Sequence, residues 1–120
     1  MIIYHNPRCS KSRQSLALLS ENGVEFEVIE YLKTPLDEVA LREVIAKLGL
    51  EAHEVVRTKE EPYQQLGLSP DSSEEDLIAA IVKYPILMER PIVVKGDSAV
   101  IGRPPENVQE LLWGFRFRLL

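Results

Sequence analysis

Cysteine is almost missing from this chain of 120 residues, in which Cys9 is the only one. A single cysteine excludes an internal disulfide, so a reactive Cys9 must attack a substrate or pair with a sulfur atom of another molecule. A dithiol redox motif is excluded as well, because Ser12 stands three residues after Cys9 in place of a second cysteine. One cysteine and two histidines also fall short of the usual four zinc ligands unless carboxylates contribute, so we expect no metal.

Long apolar runs are missing too. No run approaches the roughly 20 residues of a membrane span, and the apolar start of the chain lacks the basic flank of a secretory leader. These absences predict a cytoplasmic protein without a membrane partner. The net charge of −5 argues against nucleic acid as the main partner, because phosphate binding requires a coherent basic surface. A glycine-rich phosphate loop is also missing, and Ser15 stands where a tyrosine phosphatase would have its arginine.

Cations are concentrated around Cys9, although the chain as a whole is acidic. The neighbours of this cysteine are Pro7, Arg8, Ser10, Lys11, Ser12 and Arg13. Such a turn suits a thiol whose pKa lies below the free value of about 8.5, and the start of a helix at Cys9 favours a thiolate further. The alternative is that Cys9 is a small buried hydrophobic residue, as most free cysteines are, but its neighbours are a poor lining for an apolar core.

The hydrophobic pattern of the first 31 residues alternates between strand and helix. It predicts a buried strand over residues 2–5, a helix over Ser12–Ser20 that is capped by Asn22-Gly23, and a second strand over Val24–Tyr31. Leu16, Leu18 and Leu19 are expected to face inward from the helix. The two strands are expected to be parallel, because a helix connects them.

The rest of the chain predicts a block of helices, a hairpin and a final helix. The expected helices are one that begins at the Thr34 cap and Pro35 and ends at Gly49, short ones over Ala52–Arg57 and Tyr63–Leu66, and one capped by Ser72-Ser73-Glu74-Glu75 and stopped by Pro85. The expected hairpin has strands over Pro91–Lys95 and Ala99–Ile101, and the final helix begins at Pro104-Pro105 with Val108, Leu111, Leu112 and Phe115 on its apolar face. With 45% hydrophobic residues and no linker, residues 1–120 are expected to form a single domain.

This order, β-α-β-(α)n-β-β-α with a mixed sheet and a cysteine at the first strand-to-helix turn, resembles the α/β thioredoxin fold with a helical insertion. In that fold the first helix presents the reactive sulfur, and a proline that opens a later strand lies beside it with a cis peptide bond. Arg90-Pro91 has the corresponding position here. A trans bond at a strand edge is the alternative, because the cis form costs little before proline but is not required there.

Four separate motifs resemble the glutaredoxin-coupled arsenate reductase family. In chain order they are Ile3-Tyr4-His5-Asn6-Pro7-Arg8-Cys9 followed by Ser12-Arg13, Val56-Arg57-Thr58-Lys59 with Glu61-Pro62-Tyr63, Pro85-Ile86-Leu87 with Glu89-Arg90-Pro91-Ile92-Val93-Val94, and Ile101-Gly102-Arg103-Pro104. The family has a cysteine nucleophile and three arginines that bind the oxyanion. The resemblance therefore implies these roles for Cys9 and for Arg57, Arg90 and Arg103.

The resemblance also implies the reaction and its partners. Cys9 would attack arsenate, glutathione would add as a cosubstrate, and glutaredoxin would remove the glutathione from Cys9 after arsenite is formed, with no tightly bound cofactor. Arsenic resistance would be the biological role. Ser12 agrees with this scheme, because the chain has no resolving cysteine. Arg8 and Lys11 are more basic than the residues in this loop of the best-known family members, which is expected to affect anion affinity or selectivity.

Five further residues are secondary candidates for the site: His5, Ser10, Ser12, Arg13 and Pro91. His5 could help to keep the thiol ionised or could be structural, and the two serines could cap the helix or bind the sulfur and the anion. Three other functions remain open at this point. They are a monothiol oxidoreductase acting on glutathione mixed disulfides, a non-catalytic adaptor related to RNA polymerase-binding regulators, and an anion-binding domain that would be unaffected by Cys9→Ser.

Overall fold

The structure is a computed structural model that describes residues 1–112. Two compact units are present, one made of Met1–Tyr31 together with the described residues from Arg90 onward, and the other made of Leu32–Glu89. We call them the sheet unit and the helical unit. No helix among residues 1–112 is long and apolar enough to cross a membrane.

The sheet unit contains a four-stranded mixed sheet. Its elements are β1 (Ile2–His5), α1 (Ser10–Glu21), β2 (Glu27–Glu30), β3 (Ile92–Lys95) and β4 (Ser98–Ile101), followed by a 3₁₀-helix (Pro105–Val108). The strand order is β2-β1-β3-β4, in which β1 is parallel to β2 and antiparallel to β3, and β3 is antiparallel to β4. The predicted mixed sheet and its parallel first pair are therefore confirmed.

The core of the sheet unit contains one fully buried residue from each of four of its elements. Ile3 of β1, Leu19 of α1, Val93 of β3 and Val108 of the 3₁₀-helix are fully buried against one another. Ile3 and Val93 are direct cross-strand partners, which places their side chains on the same face of the sheet. This packing fixes the face of α1 that points inward, and with it the position of the turn that precedes the helix.

The boundaries of α1 and β2 differ from the prediction. The helix α1 begins at Ser10, two residues early, because the carbonyl oxygen of Cys9 already accepts the N–H of Arg13 at 3.0 Å as the first helical hydrogen bond. The strand β2 has four residues instead of the predicted eight, since the four-residue β1 offers partners only to Glu27–Glu30. The predicted cap at Asn22-Gly23 is confirmed, and Gly23 has a φ of 68°.

Four α-helices and a 3₁₀-helix make up the helical unit. Their bounds are α2 (Glu38–Leu48), α3 (Ala52–Val55), α4 (Glu61–Gln65), α5 (Glu74–Lys83) and the 3₁₀-helix Pro85–Leu87. The core of this unit includes the buried side chains Leu41, Val44 and Ile45 of α2 and Leu77, Ile78 and Ile81 of α5. The predicted block of helices is confirmed, including the stop of α5 before Pro85.

Each of the four α-helices in this unit has an end that differs from the prediction, and α4 spans Glu61–Gln65 rather than Tyr63–Leu66. The cap of α2 is Asp37 rather than Thr34, because the Asp37 carboxylate accepts the N–H of Ala40 at 2.8 Å. The cap of α5 is Ser73, which accepts the N–H of Asp76. The helix α3 ends at Val55 rather than Arg57, since the next residue forms a β-bridge to Met88.

The segment from Arg90 onward matches the predicted hairpin. Gly96, with a φ of 59°, lies in the turn between the paired residues Lys95 and Ser98. The peptide bond between Arg90 and Pro91 is cis, as expected from the resemblance to the thioredoxin fold, and the bond between Arg103 and Pro104 is cis as well. The predicted last helix begins as a 3₁₀-helix at Pro105 and is α-helical over residues 109–112. The expected contribution of Phe115 lies outside the described residues.

Candidate active site

The turn that holds Cys9 is shaped by hydrogen bonds from Asn6. The carbonyl oxygen of Asn6 accepts the N–H of Cys9 at 3.0 Å, and its side-chain oxygen accepts the N–H of Arg8 at 3.0 Å. The N–H of Asn6 donates in turn to the hydroxyl oxygen of Ser12 at 3.0 Å. These bonds turn the chain from β1 into α1 with Cys9 at the N-cap position, where backbone N–H groups lack helical partners.

The sulfur of Cys9 lies among donors that favour its ionised form. Burial by itself would raise the pKa of the half-buried thiol, but hydrogen bonds from the backbone N–H of Ser12, the side chain of Arg90 and the backbone N–H of Lys11, together with the positive charge of Arg90, outweigh burial. The pKa of Cys9 is consequently below its ordinary value. Arg103 adds a further donor, since its Nη1 lies 3.8 Å from the sulfur.

Arg90 and Arg103 reach the sulfur from two loops at the ends of β3 and β4. Arg90 precedes the cis peptide bond to buried Pro91, and Arg103 precedes the cis bond to Pro104. Nη1 of Arg103 also donates to the carbonyl oxygen of Arg90 at 3.3 Å, which ties the two loops together. The two guanidinium groups beside the sulfur supply positive charge and hydrogen-bond donors of the kind that bind the oxygens of an anion.

Behind the thiol, His5 and Ser12 form a buried hydrogen-bonded pair. His5 Nδ1 lies 2.6 Å from the hydroxyl oxygen of Ser12. Burial lowers the pKa of His5; the charge of Glu30 opposes this and that of Arg13 reinforces it, so the net shift is downward and favours a neutral imidazole. Among residues 1–112 the hydrogen bond of His5 goes to Ser12, and the Ser12 N–H bonds the sulfur. The pair therefore positions the start of α1.

The remaining predicted residues have different surroundings. Arg13 donates from Nη1 to the carbonyl oxygen of Pro7 at 2.9 Å, and Ser10 is exposed. Arg57 belongs to the helical unit, where its Nε lies 3.2 Å from Glu60 and its Nη1 3.7 Å from Glu89. The predicted roles of these residues toward an oxyanion stay predictions. No cluster of residues 1–112 could hold a metal ion with three or more His, Cys, Asp or Glu side chains.

Sequence reasoning missed the structural contributions of Asn6, Ser15 and Gly102. Asn6 and Gly102 belong to the motifs quoted above. Asn6 lies three residues before Cys9 and Gly102 directly before Arg103, and this closeness in sequence could have indicated that they help to shape the site. Ser15 had no such signal. Its full burial follows from the face that α1 turns inward, on which it lies one turn after Ser12.

The fold and the site together define a monothiol protein of the thioredoxin-like class, with one thiol at the start of the first helix and a cis-proline loop beside it. The ArsC family model matches residues 4–111. The chain therefore belongs to the ArsC family.

Individual relatives agree with this assignment. The chain is 57% identical to the uncharacterized protein YfgD of Escherichia coli (strain K12) over 92% of this chain and 94% of the relative. It is 46% identical to an arsenate reductase of Neisseria meningitidis serogroup A, over 92% of this chain and 96% of the relative. A solved structure of an arsenate reductase from Vibrio cholerae superposes with a TM-score of 0.87 and 47% identity, covering 91% of this chain and 94% of the other.

Proposed function

We propose that this chain is an arsenate reductase that uses Cys9 as its nucleophile and depends on glutathione and glutaredoxin. The observation that carries the proposal is the Cys9 sulfur with a lowered pKa, hydrogen-bonded by Arg90 and 3.8 Å from Arg103. A thiolate supplies the nucleophile, and the two guanidinium groups offset the repulsion between it and an incoming anion. Relatives named arsenate reductase at 46% identity support arsenate as that anion.

The first step forms a bond between sulfur and arsenic. The Cys9 thiolate attacks arsenic(V), and one oxygen of arsenate leaves as water after it is protonated. Arg90 and Arg103 would hold the remaining oxygens by charged hydrogen bonds, and the backbone N–H groups at the start of α1 would face the same negative charge. By its resemblance to the family motif, Arg57 is proposed as the third arginine of the cradle.

The second step reduces arsenic by two electrons. Glutathione loses its thiol proton and its sulfur attacks the Cys9 sulfur of the arsenic adduct, so that a sulfur–sulfur bond forms and the sulfur–arsenic bond breaks with its electron pair left on arsenic. Arsenic(V) becomes arsenic(III) and leaves as arsenite. Cys9 then carries a glutathione mixed disulfide. Because Cys9 is the only cysteine, an external thiol must resolve that disulfide, and glutaredoxin is the proposed one.

A coupled assay tests the proposal. Arsenate, glutathione, glutaredoxin, glutathione reductase and NADPH are combined, and the oxidation of NADPH is followed. We expect turnover that requires arsenate and glutaredoxin and that disappears in Cys9→Ser, while this variant keeps the circular dichroism spectrum of the wild type. Turnover that persists in Cys9→Ser would refute the assignment of the nucleophile.

A monothiol glutathione-disulfide oxidoreductase is the second candidate. The same lowered pKa of Cys9 favours it, because attack on a disulfide needs a thiolate but no arsenate. The same assay with a glutathione mixed disulfide in place of arsenate separates the two functions. Turnover of the mixed disulfide without any arsenate-dependent turnover would replace the first proposal by the second.

A further inference from the structure

Gly102 is buried at a point where there is no room for a side chain. A Cβ atom built on Gly102 would overlap the hydroxyl oxygen of Ser15 and lie 2.8 Å from Cγ of Pro91. Cβ atoms in proteins are essentially never found within 3.0 Å of a non-bonded heavy atom, so these neighbours would have to move. Close packing in a protein interior makes such a movement spread to the elements that carry the neighbours.

Space, rather than backbone conformation, is what requires glycine at this position. The φ angles of Gly23, Gly49, Gly67 and Gly96 lie in the left-handed region, and nothing lies within 4 Å of a Cβ built on any of them. Gly102 differs from these four glycines in both respects. Its φ lies outside the left-handed region, but a Cβ atom built on it would meet close neighbours.

The neighbours of Gly102 belong to the three segments that form the site. Ser15 lies on α1, one turn after Ser12, whose backbone N–H helps to lower the pKa of Cys9. Pro91 follows Arg90, and its carbonyl oxygen accepts the N–H of Gly102 at 2.9 Å. Arg103 is the next residue in the chain. Ser15 is fully buried and its hydroxyl has no hydrogen-bond partner among residues 1–112, so packing is its visible role there.

We propose that Gly102 is a positioning residue of the active site. Its missing side chain lets α1, which carries Cys9, approach the loops of Arg90 and Arg103 closely enough for both guanidinium groups to reach the sulfur. A methyl group at this position wedges α1 away from these loops and lengthens the distances from the sulfur to both arginines. The reactivity of the thiol then falls, although no group that touches the sulfur has been changed.

Gly102→Ala tests this role through the thiol itself. The pH dependence of the absorbance of the thiolate at 240 nm and of alkylation by iodoacetamide is measured for the wild type and the variant. We expect the titration of Cys9 to move to higher pH in Gly102→Ala, with a lower rate of alkylation below the midpoint, because the thiolate fraction there falls about tenfold for each unit of the shift. A second measurement, the KM for arsenate, should rise in Gly102→Ala. Only this second measurement rests on the proposed function.

Three further variants make the result specific. Ser15→Thr adds a methyl group to the same gap from the side of the helix and should shift the titration in the same direction. Ser15→Ala combined with Gly102→Ala removes the atom that the new Cβ overlaps and should restore part of the wild-type titration. Gly96→Ala strains the backbone at the other end of β4, where φ is 59°, and should lower the free energy of unfolding without moving the titration.

The thiol titration and the arsenate assay test the positioning role of Gly102 and the proposed function separately. A wild-type thiol titration in both Gly102→Ala and Ser15→Thr would overturn the positioning role, whether or not the protein reduces arsenate. If Gly102→Ala does not fold, Ser15→Thr and the double variant decide the question by the same titration. An absence of arsenate turnover in the wild type would refute the proposed function and leave the titration as a valid test of Gly102.

Discussion

At the scale of single residues, the acidity of Cys9 depends on two kinds of donor. The backbone N–H groups of Ser12 and Lys11 come from the helix that Cys9 itself caps, so they are present whenever α1 is formed. Arg90 and Arg103 come from loops that the sheet brings to the sulfur. Side-chain substitutions can therefore remove the second kind of donor while the first remains.

Arg90→Ala should raise the pKa of Cys9, because the hydrogen bond and the positive charge of Arg90 both favour the thiolate. Since the native pKa is lowered, the wild-type sulfur is ionised in a pH window below the ordinary thiol pKa. In that window the variant should react more slowly with iodoacetamide, and at alkaline pH the two rates should converge. Arg42→Ala, which removes an arginine paired with Glu38, is the matched control. Identical pH profiles for Arg90→Ala and wild type would contradict this account.

Ser12→Ala separates stability from acidity. The hydroxyl of Ser12 is the buried partner of both His5 and the N–H of Asn6, so its removal should lower the free energy of unfolding by about 1–3 kcal/mol. The backbone N–H that bonds the sulfur remains, so the thiol titration should change little. Urea unfolding and the absorbance at 240 nm measure the two effects, and Ser10→Ala at an exposed position should stay within about 0.5 kcal/mol of wild type. A large shift in the thiol titration with unchanged stability would reverse our assignment.

The residues that surround the sulfur could be predicted from motifs, whereas the packing of the site could not. Cys9 was recognised from its basic turn, and Arg90 and Arg103 from their places in motifs that resemble the arsenate reductase family. The roles of Ser15 and Gly102 depend on how closely a helix approaches two loops in space. No local pattern encodes that distance, since a buried serine and a glycine in a loop are each common in unrelated contexts.

At the scale of elements, the ends of helices depend on single side chains. Thr34-Pro35 has the composition of a helix start, but the carboxylate of Asp37 caps Ala40 and α2 begins after it. Asp37→Ala should therefore lower the free energy of unfolding by about 1 kcal/mol. Thr34→Ala should have a much smaller effect in the same chemical denaturation experiment. Equal losses in the two variants would mean that the cap is not what determines the start of α2.

The type of nearly every element was predictable, and its limits were less so. The type of an element follows from the spacing of its apolar residues, which is two residues in a strand and three or four in a helix. Several residues carry this pattern together, as Leu41, Val44 and Ile45 do in α2. The limits of β2 depend instead on the length of its pairing partner β1, so they are set by tertiary structure rather than by the local sequence. The cap of α5 at Ser73 differs by one residue from a motif that offered two adjacent serines.

At the scale of the whole molecule, the cations around Cys9 stand out against a net charge of −5. Arg8 is exposed and Lys11 half-buried, and no carboxylate among residues 1–112 forms an ion pair with either side chain. A local positive potential raises the concentration of anions near the thiol and is screened by salt. The turn should thus favour anionic reaction partners, of which glutathione disulfide is one.

Arg8→Gln combined with Lys11→Gln tests this preference. Exchange of Cys9 with anionic glutathione disulfide should slow several-fold at low salt, while exchange with cationic cystamine should not slow. Added salt should diminish the difference between wild type and variant. The rates are measured by mass spectrometry of the mixed disulfide, and Arg42→Gln with Lys47→Gln on α2 makes an equal change in net charge as the control. Equal slowing of both disulfides would show that the two cations act on the thiol rather than on its partner.

The sheet unit is assembled from two segments of the chain, Met1–Tyr31 and the described residues from Arg90 onward, and the helical unit lies between them in sequence. During synthesis, which proceeds from the amino terminus, Cys9 is made well before Arg90 and Arg103. Until those arginines arrive, the sulfur lacks the side-chain donors that stabilise its negative charge in the folded protein. A nascent chain that has not yet reached Arg90 and Arg103 should therefore carry a thiol that is less acidic than Cys9 of the folded protein.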